Sequence, residues 1–416
     1  MAKKENRHAE YFDKLSASLV SASKNIEAPY ELPEGWEWCM LGDIAEIKTG
    51  KKDANYGSND GLYPFFTCAA EPIKCNGYSF DCEAILLAGN GDISNISLYS
   101  GKFEAYQRTY VLQFNPSIDR KYVYYHLKLG WVDFNKDKMY GSTIPYIRLG
   151  NLKSYPIPFP PTLVEQQRIV NRIESMFAKL DQAQEKAQSV LDSFETRKAA
   201  ILHKAFTGQL KIDNEELSIE DWEEKKLGDV CESIFDGDHM PPPKAESGIP
   251  FLVISNVNTG FLSFDNTRYV PNGYYDSLSE TRKPKTGDVL YTIVGSYGIP
   301  VLVDSDRAFC FQRHMALLKP SKLISSRYLW YVLQSNEMYQ KATLIATGTA
   351  QLTVPIKGLR ELTIPVPPLN YQLSIVNFLD IVLEKETRAK EASQTVLDQI
   401  ALLKKSILAH AFRGEL

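Results

Sequence analysis

The sequence predicts an α+β protein: two pseudo-repeated α/β domains separated by two long helices that form a coiled coil. Three observations carry that prediction. The chain repeats itself at a spacing near 200 residues. Each copy opens with short apolar runs bounded by Gly, Asn and Asp, as strands are. Each copy closes with a long stretch whose apolar residues recur every three or four positions, as on a paired helix.

The repeat rests on matches that keep their order along the chain. WEWCMLGD at 36–43 is answered by WEEKKLGD at 222–229, and Pro64-Phe65 by Pro250-Phe251 at the same offset. Gln107-Arg108 matches Gln312-Arg313, and IPFPP at 157–161 matches IPVPP at 364–368. AILHKAFTGQL at 200–210 aligns with SILAHAFRGEL at 406–416, with six of eleven residues identical. Between these anchors the interiors differ, as in KKDANYGSNDGLY against DGDHMPPPKAESG. A common frame with divergent interiors is what two related binding surfaces for different targets require.

Taken in order, residues 1–30 read as an N-terminal helical segment, with Tyr11, Leu15, Leu19, Ala22 and Ile26 at helical spacing. Residues 31–161 form the first domain. Its strands include AILLA at 84–88 and YVLQF at 110–114, with a short helix near 122–129. Pro160-Pro161 stops the strands and sets the start of a central helix within 162–210. Its seam runs through Ile169, Ile173, Met176, Leu180, Ala183, Ala187, Val190, Phe194, Arg197 and Ile201, alternating spacings of four and three. The second domain, 211–368, carries FLVI at 251–254 and DVLYTIV at 288–294, and a helix near 328–333. A C-terminal helix, 369–416, repeats the seam at Ile375, Leu379, Val382, Glu386, Ala389, Ser393, Val396, Ile400, Leu403 and Ile407. Two matching seams in one chain most simply bury each other, with antiparallel the favoured direction. Gly208 and Gly414 fall where helix C-caps belong. A helix over 163–206 is about 65 Å long at roughly 1.5 Å per residue, enough to hold two domains at a set spacing.

Composition narrows the function. The chain has 416 residues, 44% hydrophobic and 24% charged, which is ordinary for globular domains. No apolar run reaches the ~18 residues of a membrane span. The opening MAKKENR has no apolar leader core, and six cysteines are sparse, so a reducing cytoplasm is expected. With 47 basic and 51 acidic residues the net charge is −4, which excludes a blanket polyanion binder. Any nucleic-acid contact must come from local patches.

The duplicated W-x4-LGD openings, the P-x-PP-x-L-x2-Q helix entries (158–166, one residue shorter in the second copy) and the duplicated AF-x-G-x-L helix ends together carry a resemblance. DGDH at 236–239, followed by Pro-rich sequence and GIPFL, adds to it. From about residue 32 to 416 the chain resembles the specificity subunit of type I restriction–modification systems. The resemblance implies a non-catalytic DNA reader whose two target-recognition domains each take one half of a bipartite site. It implies that the helices fix the spacer, and that the partners are double-stranded DNA, two methyltransferase subunits and restriction/translocase subunits. No cofactor is then expected on this chain; S-adenosylmethionine, ATP and Mg belong to those partners. A rod of this length parallels about 19 base pairs, a scale that suits two half-sites and a gap.

The residues themselves hold no recognisable catalytic set. The Pro-Pro pairs FPPT (159–162), MPPP (240–243) and VPPL (366–369) lack the neighbours of an amino-methyltransferase motif, and SGKF at 100–103 is no P-loop. Cys68, Cys75 and Cys82 stand seven apart, wider than structural zinc pairs, and read as buried thiols. Asp236, Asp238 and His239 read as a turn before a cation site, and His314 has no nucleophile beside it in sequence.

Direct readout needs Arg, Lys, Asn or Gln at base edges, with further donors on phosphates. Residues 36–162 hold 13 basic and 13 acidic residues and 222–368 hold 15 of each, so the contact surface must be segregated. Three segments are candidates in each copy. After the opening strand stand Lys48, Lys51, Lys52 and Asn55, against Asp236, His239 and Lys244. The Gly turn and the following Gln-Arg offer Asn90, Asn95, Gln107 and Arg108, against Ser296, Tyr297, Gln312 and Arg313. A small, hydroxyl-rich loop offers Thr143, Tyr146 and Arg148, against Thr347, Thr349 and Gln351. The shared Gln-Arg points to one common role in both copies. The GNGD at 89–92 and GSYG at 295–298 are turns whose backbone amides can approach phosphates or base edges closely. A two-domain scaffold for protein or glycan partners, without DNA specificity, is the alternative the residues leave open.

Overall fold

The computed structural model describes residues 30–212, 215–216, 220–237 and 240–416. The N-terminal helix expected on Tyr11 to Ile26 and the candidate His239 lie outside the described residues. The described residues form two compact units, one within 30–187 with 395–416 and one within 188–394. The sequence divides the chain at the ends of the long helices; contacts divide it within them.

In the first unit, β1 (Glu37–Met40) leads through one helical turn, α1 (Leu41–Ile44), into β2 (Ala45–Thr49). Then come β3 (Tyr63–Phe66), β4 (Ile73–Cys75), β5 (Phe80–Ala88), β6 (Ile96–Ala105) and β7 (Thr109–Phe114). They form one six-stranded sheet, ordered β2-β7-β5-β6-β3-β4, antiparallel except for β3 beside β6. Helix α2 (Arg120–Asn135), the turn α3 (Leu149–Lys153) and β8 (Pro156–Phe159) follow, and then α4 (Leu163–Phe206).

The W-x4-LGD and P-x-PP motifs are the two ends of one closure. β1 pairs antiparallel with β8, Cys39 opposite Ile157, so the domain's first and last strands meet. Leu41 of the LGD is fully buried. A Cβ on Gly42 would stand 2.9 Å from the Lys153 backbone, so only glycine lets α1 and α3 approach.

The second unit repeats this plan in β9 (Glu223–Lys226), α5 (Leu227–Val230), β10 (Cys231–Asp236), β11 (Ile249–Leu252), β12 (Arg268–Val270), α6 (Asn272–Ser277), β13 (Val289–Thr292), β14 (Pro300–Leu302), β15 (Cys310–Phe311) and β16 (Met315–Pro320). Then come α7 (Ser326–Leu333), α8 (Asn336–Ile345), α9 (Ile356–Glu361), β17 (Thr363–Val366) and α10 (Leu369–Phe412). β9 closes on β17 as β1 does on β8. The strand order β10-β16-β13-β14 matches β2-β7-β5-β6, and β12-β11-β15 completes it. The long β6 has become two strands, because the polar run DSDR at 304–307 interrupts it.

The helix motifs hold each domain to its helices. In the first unit the Asp119 amide donates to Gln166 Oε1 (2.8 Å), and in the second the Ser325 amide donates to Gln372 Oε1 (2.8 Å). Lys121 pairs with Glu174 (2.7 Å), and Tyr125 donates to the same carboxylate (3.4 Å). At the matching places Arg327 Nε donates to both carboxylate oxygens of Asp380 (2.8 and 2.9 Å), which also accepts from Tyr331 (2.5 Å). The far helix ends arrive on the same domain helices. Phe412 packs edge-on against Tyr122 and His126 (5.0 and 4.8 Å between ring centres), and Phe206 against Tyr328 (5.5 Å). Gly208 and Gly414 take left-handed φ of 71° and 75°, and the next amides reach back to the Lys204 and His410 carbonyls. These are Schellman caps.

The helices are antiparallel within each unit: Lys404 pairs with Asp181 in the first, Arg197 with Glu386 in the second. Every predicted seam residue on α4 is at least half-buried. On α10 the seam holds to Glu386, and beyond it Ser393, Ile400 and Ile407 still face inward. Ala389, Val396 and Leu403 are exposed, while Leu397, Lys404 and Leu408 turn inward. The polar seam exceptions Arg197 and Glu386 face each other at 2.8 Å.

Candidate nucleic-acid interface

At one end of the first unit's sheet, backbone hydrogen bonds gather the three candidate segments. The Gly50 amide donates to the Thr109 carbonyl, the Gln107 amide to Lys52, and the Gly89 amide to Arg108 (2.8 Å). The Gly91 amide donates to Pro145 and Ile147 to Gly89, so the loop 140–147 is stitched to the turn after β5. A Cβ on Gly50 would fall 1.8 Å from the Ala105 carbonyl oxygen, and one on Gly89 2.2 Å from that of Arg108. Both glycines are what let β2 and β5 lie against the β6–β7 turn.

This end presents donors. Lys51, Asn55, Gln107, Arg108, Thr143 and Arg148 are exposed, and Lys52 lies 4.3 Å over the Tyr56 ring. Gln107 donates to Asp53 (3.1 Å). Arg148 stacks 4.0 Å over Tyr140 and donates to the Tyr146 hydroxyl (3.3 Å), while Arg108 lies 5.6 Å from the Tyr146 ring centre. Gly89, Gln107, Arg108, Tyr110 and Ile147 line a cleft of about 260 Å³. Asn90 bridges Tyr146 through the backbone. Two predicted residues have partners within the domain. Asn95 donates to the Cys68 carbonyl (2.9 Å), and Lys48 pairs with Glu46 and Gln113 along the sheet.

The second unit builds the same end. The Gly237 amide donates to Met315, Ile293 to His314, Gly295 to Leu352 and Val354 to Ile293. These bonds correct the sequence alignment of the two copies. Gln312 occupies the place of Tyr106, since both amides donate to the residue ending the neighbouring strand, Leu252 and Phe66. Arg313 therefore stands where Gln107 does and His314 where Arg108 does, so Gln-Arg is not one shared device. A one-residue difference in the turn moves the side chains while the backbone ladder stays. Likewise Gly295 corresponds to Gly91, both with left-handed φ (73° and 67°).

Ser296, Arg313, Thr347, Thr349, Gln351 and Lys244 are exposed at or beside this end, and Gln312 is half-buried. Asp236 is the last residue of β10. Tyr297 is a core residue rather than a surface donor: 9% exposed, stacked on Tyr339 and bonded to Thr343 (3.0 Å). Met240, Pro241, Pro242, Phe251, Arg268 and the 312–314 turn line a cleft of about 320 Å³. Burial, and then Arg313 beside it, hold His314 below the usual imidazole range. Sequence reasoning missed Tyr140, Gly50, Gly237 and Arg268. The two glycines carried a signal, since each follows its opening strand at nearly the same offset.

Among the described residues no His, Cys, Asp and Glu cluster could hold a metal ion. Cys75 donates to the Gly77 carbonyl (3.0 Å), and burial raises the Cys75 and Cys82 thiols. No described helix is long and apolar enough to cross a membrane.

Two copies of one loop-built, donor-rich sheet end, each in a unit that also holds an antiparallel stretch of the long helices, define a duplicated domain-and-helix protein. The family model for the type I restriction modification DNA specificity domain matches residues 33–191 and 219–398, and the chain belongs to that family. It is 28% identical to the type I restriction enzyme EcoDI specificity subunit of Escherichia coli, over 93% of this chain and 90% of that one. Against the MjaVIII specificity subunit of Methanocaldococcus jannaschii the identity is 27%, covering 88% and 92%. The HsdS subunit structure from Thermoanaerobacter tengcongensis matches at TM-score 0.62 and 22% identity, over 94% of this chain and 100% of that one. A chain from a structural study of type I R-M assembly and conformational transition matches at TM-score 0.72 and 20% identity, over 93% and 100%.

Proposed function

We propose that each domain of this chain reads one half of a split duplex DNA site with the sheet end described above. The helices set the gap between the halves and seat two methyltransferase subunits, to which restriction/translocase subunits add. The chain itself is non-catalytic and works in the cytoplasm. S-adenosylmethionine, ATP and Mg act on the partner subunits. The observation that carries this reading is the duplication of one backbone frame with different side chains at its loops: Arg108, Tyr146 and Arg148 in one copy, His314, Thr353 and Pro355 in the other. A shared frame supplies the same docking pose, and different donors supply different base preferences.

The test is to co-express the chain with its methyltransferase subunit and map adenine methylation across the host genome. A split motif with a constant gap is expected, and exchanging one domain should alter only its own half. A stable complex that leaves no new methylation would refute DNA reading and support the scaffold alternative.

A further inference from the structure

Arg148 is held unlike any other cation of the first domain's sheet end. Its guanidinium lies 4.0 Å over the Tyr140 ring and 5.9 Å from the Tyr146 ring centre, and it donates to the Tyr146 hydroxyl. The two rings stand 5.6 Å apart. Their backbones exchange both hydrogen bonds across the loop, at 2.9 and 2.8 Å. Arg108 lies 5.6 Å from the same Tyr146 ring, and among the described residues no carboxylate pairs with Arg148. The fork is therefore oriented in advance, and its remaining N–H groups have no anion to satisfy them. The span between the tyrosines, GSTIP at 141–145, is exposed throughout, with Ile144 as its one large side chain.

We infer that Arg148 is a specificity-determining residue that reads a guanine in the first half-site, and that Tyr140 and Tyr146 are its positioning residues. This rests on the DNA reading proposed above. A phosphate contact needs only charge, whereas bidentate donation to guanine O6 and N7 needs a planar fork at a set angle. A two-ring clamp supplies that angle, and it lowers the ordering cost of a long side chain on binding. The second domain has no equivalent: the paired backbone positions are Thr347 and Thr353, and Pro355 stands two residues on. The device belongs to one half-site alone.

The experiment uses the full chain with its methyltransferase subunits and reads the methylation motif of Arg148→Ala, Arg148→Lys and Tyr146→Phe. In Arg148→Ala one G·C position in one half should become degenerate, with discrimination there falling about ten- to a hundred-fold. The other half and the gap should stay as they were, which also shows that the variant folds. Lysine keeps the charge but loses the fork, so Arg148→Lys should be degenerate at the same position. Tyr146→Phe keeps the ring but loses the anchor and should be partly relaxed. An unchanged motif in Arg148→Ala would overturn the inference. So would an even drop in methylation with no position relaxed, the mark of a phosphate contact, or full discrimination in Arg148→Lys. A wild-type chain without any split motif would instead bring down the DNA reading on which the inference stands.

Discussion

Replacing Gln372 by methionine, and separately Gln166, tests whether the duplicated glutamine is a tie between helix and domain. Gln372 is fully buried and makes three hydrogen bonds. Its Oε1 accepts from the Ser325 amide (2.8 Å), and its Nε2 donates to the carbonyls of Leu323 (3.0 Å) and Pro367 (2.9 Å). Methionine keeps the length and loses all three bonds. An orphaned buried polar group costs about 1–3 kcal/mol. Only the Pro367 bond is wholly sequestered, so the three together come to about 3–5 kcal/mol. Gln166, 2% exposed, makes one such side-chain bond, from the Asp119 amide, so its replacement should cost about 1–2 kcal/mol. Because the chain has two compact units, a single unfolding free energy is ill-defined. The assay is native-state hydrogen exchange at the first turns of α2 and α7, supported by thermal melts. The α7 turn should lose far more protection in Gln372→Met than the α2 turn does in Gln166→Met. At about 2–4 °C per kcal/mol, the second unit's melting should fall by roughly 10 °C. Equal losses in the two variants, or none, would refute the reasoning.

Phe412→Ala removes a fully buried ring from Tyr122 and His126 and should destabilise the first unit by about 3–5 kcal/mol, read as a lowered urea midpoint for that unit. His126 is buried, and burial pushes its pKa down to about 3, so the folded first unit keeps it neutral. Unfolded chain binds that proton below about pH 6.5; stability is therefore held above that pH and lost toward pH 3, at up to about 1.4 kcal/mol per pH unit. Urea midpoints at pH 7 and pH 5 should differ in the wild type and converge in His126→Phe. Arg197→Glu should cost about 1 kcal/mol by opposing Glu386 in a half-exposed pair, and Glu386→Arg added to it should restore the melting temperature. A double variant no more stable than the single would show that the pair sets no register.

Local pattern sufficed for much of this molecule. Apolar runs between Gly and Asn located β5 and β7, and the three-four spacing located α4 and α10, because both signals are carried by residues a few positions apart. The duplication revealed the W-x4-LGD and P-x-PP segments as matched anchors without showing that they pair, since β1 meets β8 across the whole first domain. The candidate interface was legible as three segments per copy but not residue by residue. Tyr297 lies in the same kind of Gly turn as Asn90, and only the packing of α8 makes it core. The matching Gln-Arg letters also misled, because a hydrogen-bonded ladder, not letter identity, sets which side chains correspond.

What the sequence by itself determined is the inventory: two copies of one α/β frame, two long helices with complementary seams, and divergent loops. What only the tertiary structure decided is who meets whom. The end of α10 seats on the first domain's helix through Phe412, and the end of α4 on the second's through Phe206. Past Glu386 the α10 seam keeps Ser393, Ile400 and Ile407 but turns Ala389, Val396 and Leu403 outward, and the three candidate segments converge on each sheet end. Those outcomes depend on contacts between residues far apart in the chain. Their energies come from burial and hydrogen-bond satisfaction in three dimensions, where periodicity along the chain carries no information.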